Sequence, residues 1–448
     1  MSDASDAVVL TDEWGSELER APRDGDRWIL DWLIQVTGRV YHFQTGDGRI
    51  LPPTVRTHDM ISKHLGRAAA KAEALGNAAL EAGAQETARH HLFVASSTYA
   101  AAQHPIFETN EEKRVLHEAA LRCYERYAAL TQPPIVHVDI PFEGSTLGGY
   151  LHLTGSTTPA PCVVALPGCD MTKEMYPGPD ANYAGQRGMH LHVLDGPGQG
   201  EANLAGIKLT AANYTRAVSA AIDFVSQLPE VDEDRIGVYG LSFSSQWAMA
   251  AAASDDRIRA VAAPMFSGCD KYYLMNVESP RWRWLFTYLT GARSDSELNQ
   301  TMRDMRLDDQ LPDVKCPSLW AVGEYDPRSP MKEVLRLFEL MTNEKELWIF
   351  ADQHHQVNVA DRRGTVVWGS DIHMYVSDWL SSHLQTDGSL RASHRQVRYL
   401  QPGEGPYGTS AGTAWPWYRG LGAAQTVDIA GAGDEATPQD RRASGGVQ

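Results

Sequence analysis

From Ile135 onward, short β-rich runs alternate with helical segments, and this alternation constrains the fold more than any other feature of the sequence. The runs VHVDIPF and LGGYLHL, joined by EGST, predict an antiparallel hairpin. Six further strands are predicted at CVVALPG, HLHVLDG, RIGVYG, RAVAAP, SLWAVGE and ELWIF, and two of the intervening helices at TAANYTRAVSAAIDFVSQL and PMKEVLRLFELM. This alternation predicts an α/β fold with a mostly parallel central sheet and helices on both of its faces.

The two ends of the 448-residue chain have a different texture. Residues 1–132 show no convincing strand and several helical patterns, one of which follows Asn110, a good N-cap. Its apolar stripe consists of Val115, Leu116, Ala119, Ala120, Cys123, Tyr124 and Tyr127. We therefore predict a helical N-terminal domain over residues 1–132 and an α/β domain over residues 133–385. Residues 386–448 become rich in Gly, Ala, Ser and Asp and predict a C-terminal extension with a disordered end.

Composition excludes several kinds of partner. With 57 acidic and 40 basic residues the formal net charge is −17, and the sequence has no basic run that would neutralise phosphates, so we expect no nucleic-acid partner. The five cysteines contain no C-x-x-C pair and predict neither a disulfide framework nor a zinc site. The chain starts without a signal-like pattern and has no long apolar run, so we expect a cytoplasmic protein without membrane contact.

The strongest chemical signal is RIGVYGLSFSSQWAMAAAA, in which a strand, a sharp turn over residues 240–244 and a helix of small residues follow one another. A nucleophile elbow needs this arrangement, because the strained turn brings strand and helix so close that only small neighbours fit. Ser242 is therefore the candidate nucleophile. The usual pattern has Gly two residues after the serine, where this chain has Ser244. The alternative is an ordinary turn with a capping serine.

A nucleophilic serine needs a histidine base, which in turn is oriented by a carboxylate. Asp326 lies just past the strand in SLWAVGEYDP, and we prefer it to Glu324 because the Asp-Pro turn is the commoner form of this loop. His354 and His355 lie just past the next strand, so either can be the base. The order Ser, acid, His is the one expected of this elbow. A metal at the histidine pair would lack a third ligand at usual spacing, so we expect no metal and no cofactor.

An oxyanion forming at the substrate carbonyl must be met by backbone N–H groups. The N–H of Phe243, directly after the nucleophile, is one candidate, and the N–H of Cys169 in LPGCDMTKE is the other. Cys169 as a thiol nucleophile is an alternative for which no partner constellation is present. The segment DGPGQGE at residues 195–201 lacks the spacing of a nucleotide-binding loop and predicts a structural turn under the site.

An insert at about residues 270–310 separates the strand RAVAAP from Asp326. Its aromatic residues would suit a flat aromatic substrate or form the core of a lid. The candidates for substrate contact are Tyr273, Trp282 and Trp284.

These motifs together resemble those of α/β-hydrolases that carry a helical N-terminal cap. The group includes the bacterial 2,6-dihydroxypseudooxynicotine hydrolases and the fungal hydrolases that shorten naphthopyrone polyketides. The likeness runs from about residue 69 to residue 384 and rests on CYERY, VDIPFEGSTLGGYL, LPGCDMTKE, DGPGQGE, the elbow, GEYDP and QHHQVN. It implies the α/β-hydrolase fold with a cap, a lid and a homodimeric assembly. Ser244, Gln353 and the C-terminal extension depart from the pattern.

The resemblance implies hydrolysis of the carbon–carbon bond between a hydroxylated ring and an acyl carbonyl, in a small aromatic, polyketide-like secondary metabolite. Ser242 would attack the ketone or act as base towards water, with Asp326 and a histidine completing the triad. An auxiliary lid carboxylate matches Glu278 in N-V-E-S-P. The family's base lies in D-H-x-x-x-N, which favours His354 over His355 because Asn358 follows it by four residues.

Two other functions remain open at this stage. The same residues would hydrolyse esters or transfer acyl groups, as in an ester hydrolase, acyltransferase or cyclase. A non-catalytic ligand-binding protein that kept the fold is the third hypothesis, with Ser244 and the unusual C-terminal extension as its support.

Overall fold

Three long helices precede the sheet in the computed structural model, which describes residues 40–41, 50–51, 55, 58–278, 281–351, 353–359, 371–385, 396–400, 405–407 and 426–427. The helices are α1 (His58–Glu81), α2 (Gln85–Gln103) and α3 (Glu111–Ala129), which we call the cap. Asn110 begins α3 as predicted, because its side chain accepts a hydrogen bond from the N–H of Lys113 at 2.9 Å. Val115 is 56% exposed, so it lies outside the buried stripe to which we had assigned it.

The sheet has ten strands, counted over the described residues. They are β1 (Ile135–Phe142), β2 (Ser145–His152), β3 (Ala160–Leu166), β4 (His190–Leu194), β5 (Val231–Gly240), β6 (Ile258–Pro264), β7 (Ser318–Gly323), β8 (Lys345–Phe350), β9 (Gln396–Leu400) and β10 (Thr426–Val427). Their order is β10-β9-β8-β7-β6-β5-β3-β4-β2-β1, and every pair from β4 through β3, β5, β6, β7 and β8 to β9 is parallel. The mostly parallel sheet predicted from the alternation is therefore confirmed.

The hairpin of β1 and β2 turns over only two residues. Phe142 pairs directly with Ser145, so the loop consists of Glu143 and Gly144. Both have positive φ, 46° and 82°, which matches the twist of the flanking strands. The hairpin is confirmed, with a tighter turn than the whole EGST segment.

Helices cover both faces of the sheet. The helices of the described residues that follow the cap are α4 (Gly200–Leu204), α5 (Asn213–Val225), α6 (Ser244–Ser254), α7 (Arg281–Thr290), α8 (Asp295–Asp304), α9 (Met331–Leu340) and α10 (Ile372–Leu384), of which α7 and α8 belong to the lid insert. Along β5, Val238 belongs to the core that includes Ala217 of α5 and Leu337 of α9, whereas Tyr239 belongs to the core that includes Leu380 of α10. Successive side chains of β5 thus point to opposite faces of the sheet and pack into two separate cores.

Two boundaries differ from our predictions. Residues 1–132 contain a short antiparallel pair of strands, Val40–Tyr41 with Ile50–Leu51, where we expected none. The C-terminal extension also contributes to the sheet, because β9 pairs in parallel with β8 and β10 pairs with β9. The predicted disordered end, residues 430–448, lies outside the described residues. No helix among the described residues is long and apolar enough to cross a membrane.

Candidate active site

Ser242 lies at the turn between β5 and α6 with a left-handed backbone, φ 57°. Its N–H donates to the carbonyl of Pro264 at 3.1 Å, which holds the turn against β6. A Cβ at Gly240 would overlap the carbonyl oxygen of Ser244 and lie 2.6 Å from the Cβ of Ala248. Only glycine fits at position 240, as the close strand-to-helix crossing of an elbow requires.

The unusual Ser244 has a definite place in this elbow. It is fully buried at the start of α6, and its hydroxyl donates to the carbonyl of Pro167, in the loop that follows β3. We call residues 167–172 the oxyanion loop. A hydroxyl therefore replaces the usual glycine without obstructing the turn, and it connects α6 to that loop.

Two short hydrogen bonds connect the predicted triad. Ser242 Oγ lies 2.7 Å from His355 Nε2, and His355 Nδ1 lies 2.7 Å from Asp326 Oδ2. Burial alone would raise the pKa of Asp326, but the His355 ring and then Arg328 lower it below its ordinary value. Asp326 is thus held as the ionised partner that orients the imidazole.

The preference for His354 as the base is wrong in this geometry. His354 is exposed, and its Nδ1 lies 3.0 Å from the backbone carbonyl of Tyr325. The loop that holds both histidines is closed by Gln353 and Asn358, whose side chain and backbone groups exchange hydrogen bonds of 2.6 Å. Within this closed loop it is His355 that faces Ser242. The backbone of Asn358 closes the loop, so the spacing between His354 and Asn358 does not identify the base.

The two predicted oxyanion donors belong to segments that lie next to Ser242. The N–H of Phe243 follows it directly, and a Cβ placed on Gly168 would lie 3.6 Å from Ser242 Cβ, so the oxyanion loop runs beside the nucleophile. In the turns and loops among the described residues, neither the N–H of Phe243 nor that of Cys169 donates to a backbone carbonyl. Burial raises the pKa of the Cys169 thiol well above its ordinary value, which argues against its role as a nucleophile.

The motifs T-K-E and D-G-P-G-Q-G-E meet next to the oxyanion loop in an ion cluster, in which Lys173, Glu174 and Asp195 are buried and Glu201 is partly exposed. Lys173 Nζ lies 2.5 Å from Glu174, 3.3 Å from Asp195 and 2.6 Å from Glu201. Burial would lower the pKa of Lys173, but the three carboxylates raise it well above its ordinary value. Lys173 therefore binds the acids at both ends of the predicted structural turn, Asp195 and Glu201.

Glu278, the predicted auxiliary carboxylate, ends the π-helical turn Tyr273–Val277 and precedes α7. Its Oε2 accepts a hydrogen bond from Trp282 Nε1 at 3.3 Å and lies 3.8 Å from Arg328 Nε. The backbone N–H of Arg328 donates to Asp326 at 3.0 Å, so one residue connects the lid carboxylate with the triad. Sequence reasoning missed Arg328, although it follows Asp326 by two residues.

The three predicted substrate-contact aromatics have different environments. Trp282 is 1% exposed, and the guanidinium carbons of Arg281 and Arg328 lie 4.0 and 4.5 Å from its ring centroid. Trp282 is therefore buried in the core of the lid, in contrast to its prediction as a substrate-contact residue. Trp284 is 40% exposed beside Phe107, which lies between α2 and α3, and Tyr273 is partly exposed. Contact of these two residues with substrate stays a prediction.

Comparison with known protein families points to esterases. Residues 69–268 match the family described as “Esterase FrsA-like”, and residues 207–371 match the family described as “Acetyl xylan esterase (AXE1)”. Both matched segments contain Ser242, and the second also contains Asp326 and His355.

Individual relatives agree with the resemblance drawn from the motifs. The chain is 28% identical over 240 residues to “2,6-dihydropseudooxynicotine hydrolase” of Paenarthrobacter nicotinovorans, which covers 53% of this chain and 64% of that protein. It is 30% identical over 247 residues to “Alpha/beta hydrolase gkaG” of Penicillium citrinum, which covers 50% and 56%. Each match spans less than two thirds of the relative's own length.

A solved structure supports the fold assignment. The crystal structure of a 2,6-dihydroxy-pseudo-oxynicotine hydrolase superposes with a TM-score of 0.63 over 81% of this chain and 96% of that chain, at 23% identity. The strand order, the elbow and this likeness lead to the same assignment. The chain has the α/β-hydrolase fold, and its sequence is related to the group of capped hydrolases that the motifs indicated.

Proposed function

We propose that this protein is a serine hydrolase that cleaves the carbon–carbon bond between a hydroxylated aromatic ring and an acyl carbonyl. The observation that carries the proposal is the series of 2.7 Å hydrogen bonds from Ser242 through His355 to Asp326 at a left-handed elbow. The relationship to the capped hydrolases supports an aryl ketone, in an aromatic or polyketide-like metabolite, as the substrate.

The first half of the reaction forms an acyl-enzyme. Ser242 Oγ attacks the ketone carbon while His355 takes its proton, and the carbonyl oxygen becomes an oxyanion facing the N–H groups of Cys169 and Phe243. The tetrahedral intermediate then collapses by breaking its bond to the ring. The ring carbon keeps the electron pair and accepts a proton, which restores neutral His355 when the imidazolium supplies it. A polyhydroxylated ring is needed because its hydroxyl groups accommodate the electron pair.

The second half consumes water. His355 takes a proton from a water molecule that attacks the acyl-enzyme, and Ser242 leaves as the hydroxyl after receiving that proton. The sum is one aryl ketone and one water giving the arene and a carboxylic acid. If Ser242 instead acts as base towards water, the products are the same and no acyl-enzyme forms.

Glu278 would assist protonation at the ring. Trp282 and Arg328 hold its carboxylate on the lid side of the triad, through a 3.3 Å hydrogen bond and a 3.8 Å ion pair. In this position the carboxylate would take the proton from the His355 imidazolium and pass it to the leaving carbon, which leaves His355 neutral for the second half. Ester cleavage does not require this relay, because the alcohol leaving group takes the proton from His355 directly.

Ester hydrolysis is the second candidate, because both matching families are described as esterases. Its mechanism uses the same triad and the same oxyanion donors, but the leaving group is an alcohol or phenol.

The test compares wild-type protein with Ser242→Ala on a panel of polyhydroxylated aryl ketones and matched aryl esters, with products identified by mass spectrometry. We expect arene and acid from the ketones with wild-type protein and none with the variant. Ser226→Ala, which removes a hydroxyl that donates to the carbonyl of Ile222 in α5, is the matched control and should retain full turnover. Ketone turnover that persists in Ser242→Ala would refute the nucleophilic mechanism.

Glu278→Gln separates the two candidates. We expect this change to lower kcat for aryl ketones by about 10²-fold or more while ester turnover changes little, because only ring protonation needs the carboxyl group. Glu297→Gln in α8, also in the lid insert, is the control. Equal effects on ketones and esters would reduce Glu278 to a structural role, and ester cleavage alone would favour an esterase.

A further inference from the structure

Gln199, which no part of the mechanism above uses, is buried directly under the oxyanion loop. Its Nε2 donates to the carbonyl oxygens of Pro167 at 3.2 Å, Gly168 at 2.9 Å and Met171 at 3.3 Å. One side-chain amide therefore binds three carbonyls of a six-residue loop.

The bond to Gly168 has a geometric consequence for the reaction. A peptide group is planar and trans, so the carbonyl of Gly168 and the N–H of Cys169 point in opposite directions. Fixing that carbonyl towards Gln199 fixes the N–H of Cys169 in the direction away from Gln199, in a loop that runs next to Ser242. The N–H of Met171 also donates to the Gly168 carbonyl at 2.8 Å, and both bonds restrain the same peptide plane.

The orientation of the amide is itself determined. Gln199 Oε1 accepts hydrogen bonds from the Tyr214 hydroxyl at 2.5 Å and from the N–H of Gly196 at 3.4 Å, which leaves Nε2 to face the loop. Tyr214 is immobilised because its ring stacks on Trp247 with centroids 3.7 Å apart. A Cβ on Gly196 would overlap the Tyr214 ring, so glycine is required there for this contact.

We propose that Gln199 is a positioning residue that aims the N–H of Cys169 at the oxyanion, with Tyr214 fixing the direction of its amide. The proposal rests on the proposed function, since it needs an oxyanion at Ser242. The motif D-G-P-G-Q-G-E would then have two roles. Gln199 positions the oxyanion loop, and the acids Asp195 and Glu201 at its ends belong to the ion cluster.

The test uses Gln199→Met, which keeps the length of the side chain and removes its donors and acceptor. We expect kcat to fall about 10²-fold or more with KM little changed, because an oxyanion donor acts in the transition state and not on the bound ketone or ester. The rate of Ser242 labelling by an alkyl fluorophosphonate, measured in folded protein, should fall in parallel. Gln186→Met, which removes a single amide-to-carbonyl bond on an exposed turn, is the matched control.

Two further variants test the same positioning role if Gln199→Met does not fold. Tyr214→Phe should reduce kcat in the same direction by a smaller factor. Gln199→Glu should be least active at high pH, where an ionised carboxylate repels the three carbonyls, and should regain activity relative to wild type as the pH falls. A kcat within twofold of wild type in the folded variants, while Ser242→Ala is inactive, would overturn the proposal. Turnover or labelling that does not depend on Ser242 would instead refute the proposed function.

Discussion

His354 and His355 are neighbours in the chain, yet their rings lie in different environments. His355 is 2% exposed between Ser242 and Asp326, whereas His354 is exposed and contacts the backbone of Tyr325. The reciprocal hydrogen bonds of Gln353 with Asn358 close the loop around both rings. Position in this loop, and not residue type, determines which imidazole reaches the nucleophile.

Replacing each histidine by alanine should separate the two. We expect His355→Ala to lower kcat/KM by about 10³-fold or more, since a triad without its base retains only binding and oxyanion stabilisation. His354→Ala should stay within a fewfold of wild type, and each variant is the other's control. Steady-state kinetics on the best substrate of the panel is the measurement, and a greater loss in His354→Ala would contradict the assignment.

At the scale of elements, the ion cluster connects three segments of chain beneath the site. Lys173 follows the oxyanion loop, Asp195 follows β4, and Glu201 belongs to α4. The N–H of Lys173 also donates to Asp195 at 2.8 Å, so backbone and side chain hold the same carboxylate. A Cβ on Gly148 of β2 would overlap the carboxylate of Glu201, so a side chain at this position would displace that carboxylate from Lys173.

Removing the single cation of this cluster should be costly. We expect Lys173→Met to lower the free energy of unfolding by about 3–5 kcal/mol, because the buried carboxylates of Glu174 and Asp195 then lose their cationic partner. Lys315→Met removes an exposed ion pair with Asp256 and should cost less than about 1 kcal/mol. Urea denaturation followed by tryptophan fluorescence measures both, and a loss in Lys173→Met no larger than the control would contradict the role of the cluster.

At the scale of the whole molecule, the cap is joined to the sheet through aromatic and histidine contacts. Tyr124 of α3 stacks on Tyr150 of β2 with centroids 4.1 Å apart, and its hydroxyl lies 3.3 Å from His152 Nε2. Burial lowers the pKa of His152 to about 3, and that of His192 in the neighbouring strand β4 to about 4. Both rings therefore remain neutral in the folded protein at pH values where an unfolded chain would protonate them.

The sign of the resulting pH dependence follows from linkage. Between an unfolded pKa of about 6.5 and the lowered folded values, the unfolded chain binds more protons, so this stabilisation is complete above pH ~6.5 and is lost towards pH ~4. Asp195, whose pKa burial raises to about 7, contributes with the opposite sign, so the test is a difference between variants. We expect His192→Met to weaken the loss of stability between pH 7 and pH 5.

The control for this prediction is a histidine on the surface of the cap. Urea midpoints of wild type, His192→Met and His90→Ala are compared at pH 7, 6 and 5. His90 is exposed, so its removal should leave the slope unchanged. If the urea midpoint of His192→Met falls with pH as steeply as that of wild type, the buried ring does not contribute to the loss of stability in acid.

Local patterns in the sequence determined the elements and the order of the chemistry. The alternation of strands and helices, the hairpin of β1 and β2, and the succession of Ser242, Asp326 and the histidine pair were all readable, because they depend on side-chain period, turn residues and chain order. The sequence also indicated that DGPGQGE is a turn beneath the site and that an acid lies in the lid segment.

Only the tertiary structure decided which groups meet. It selected His355 over His354, placed Trp282 in the lid core, brought Arg328 beside Glu278 and set Gln199 under the oxyanion loop. It also added β9, from beyond the predicted end of the α/β domain, to the sheet. These outcomes depend on the direction of side chains and on pairing between segments that are distant in the chain. Local periodicity does not encode either, because it shows only which side chains of one helix or strand share a face.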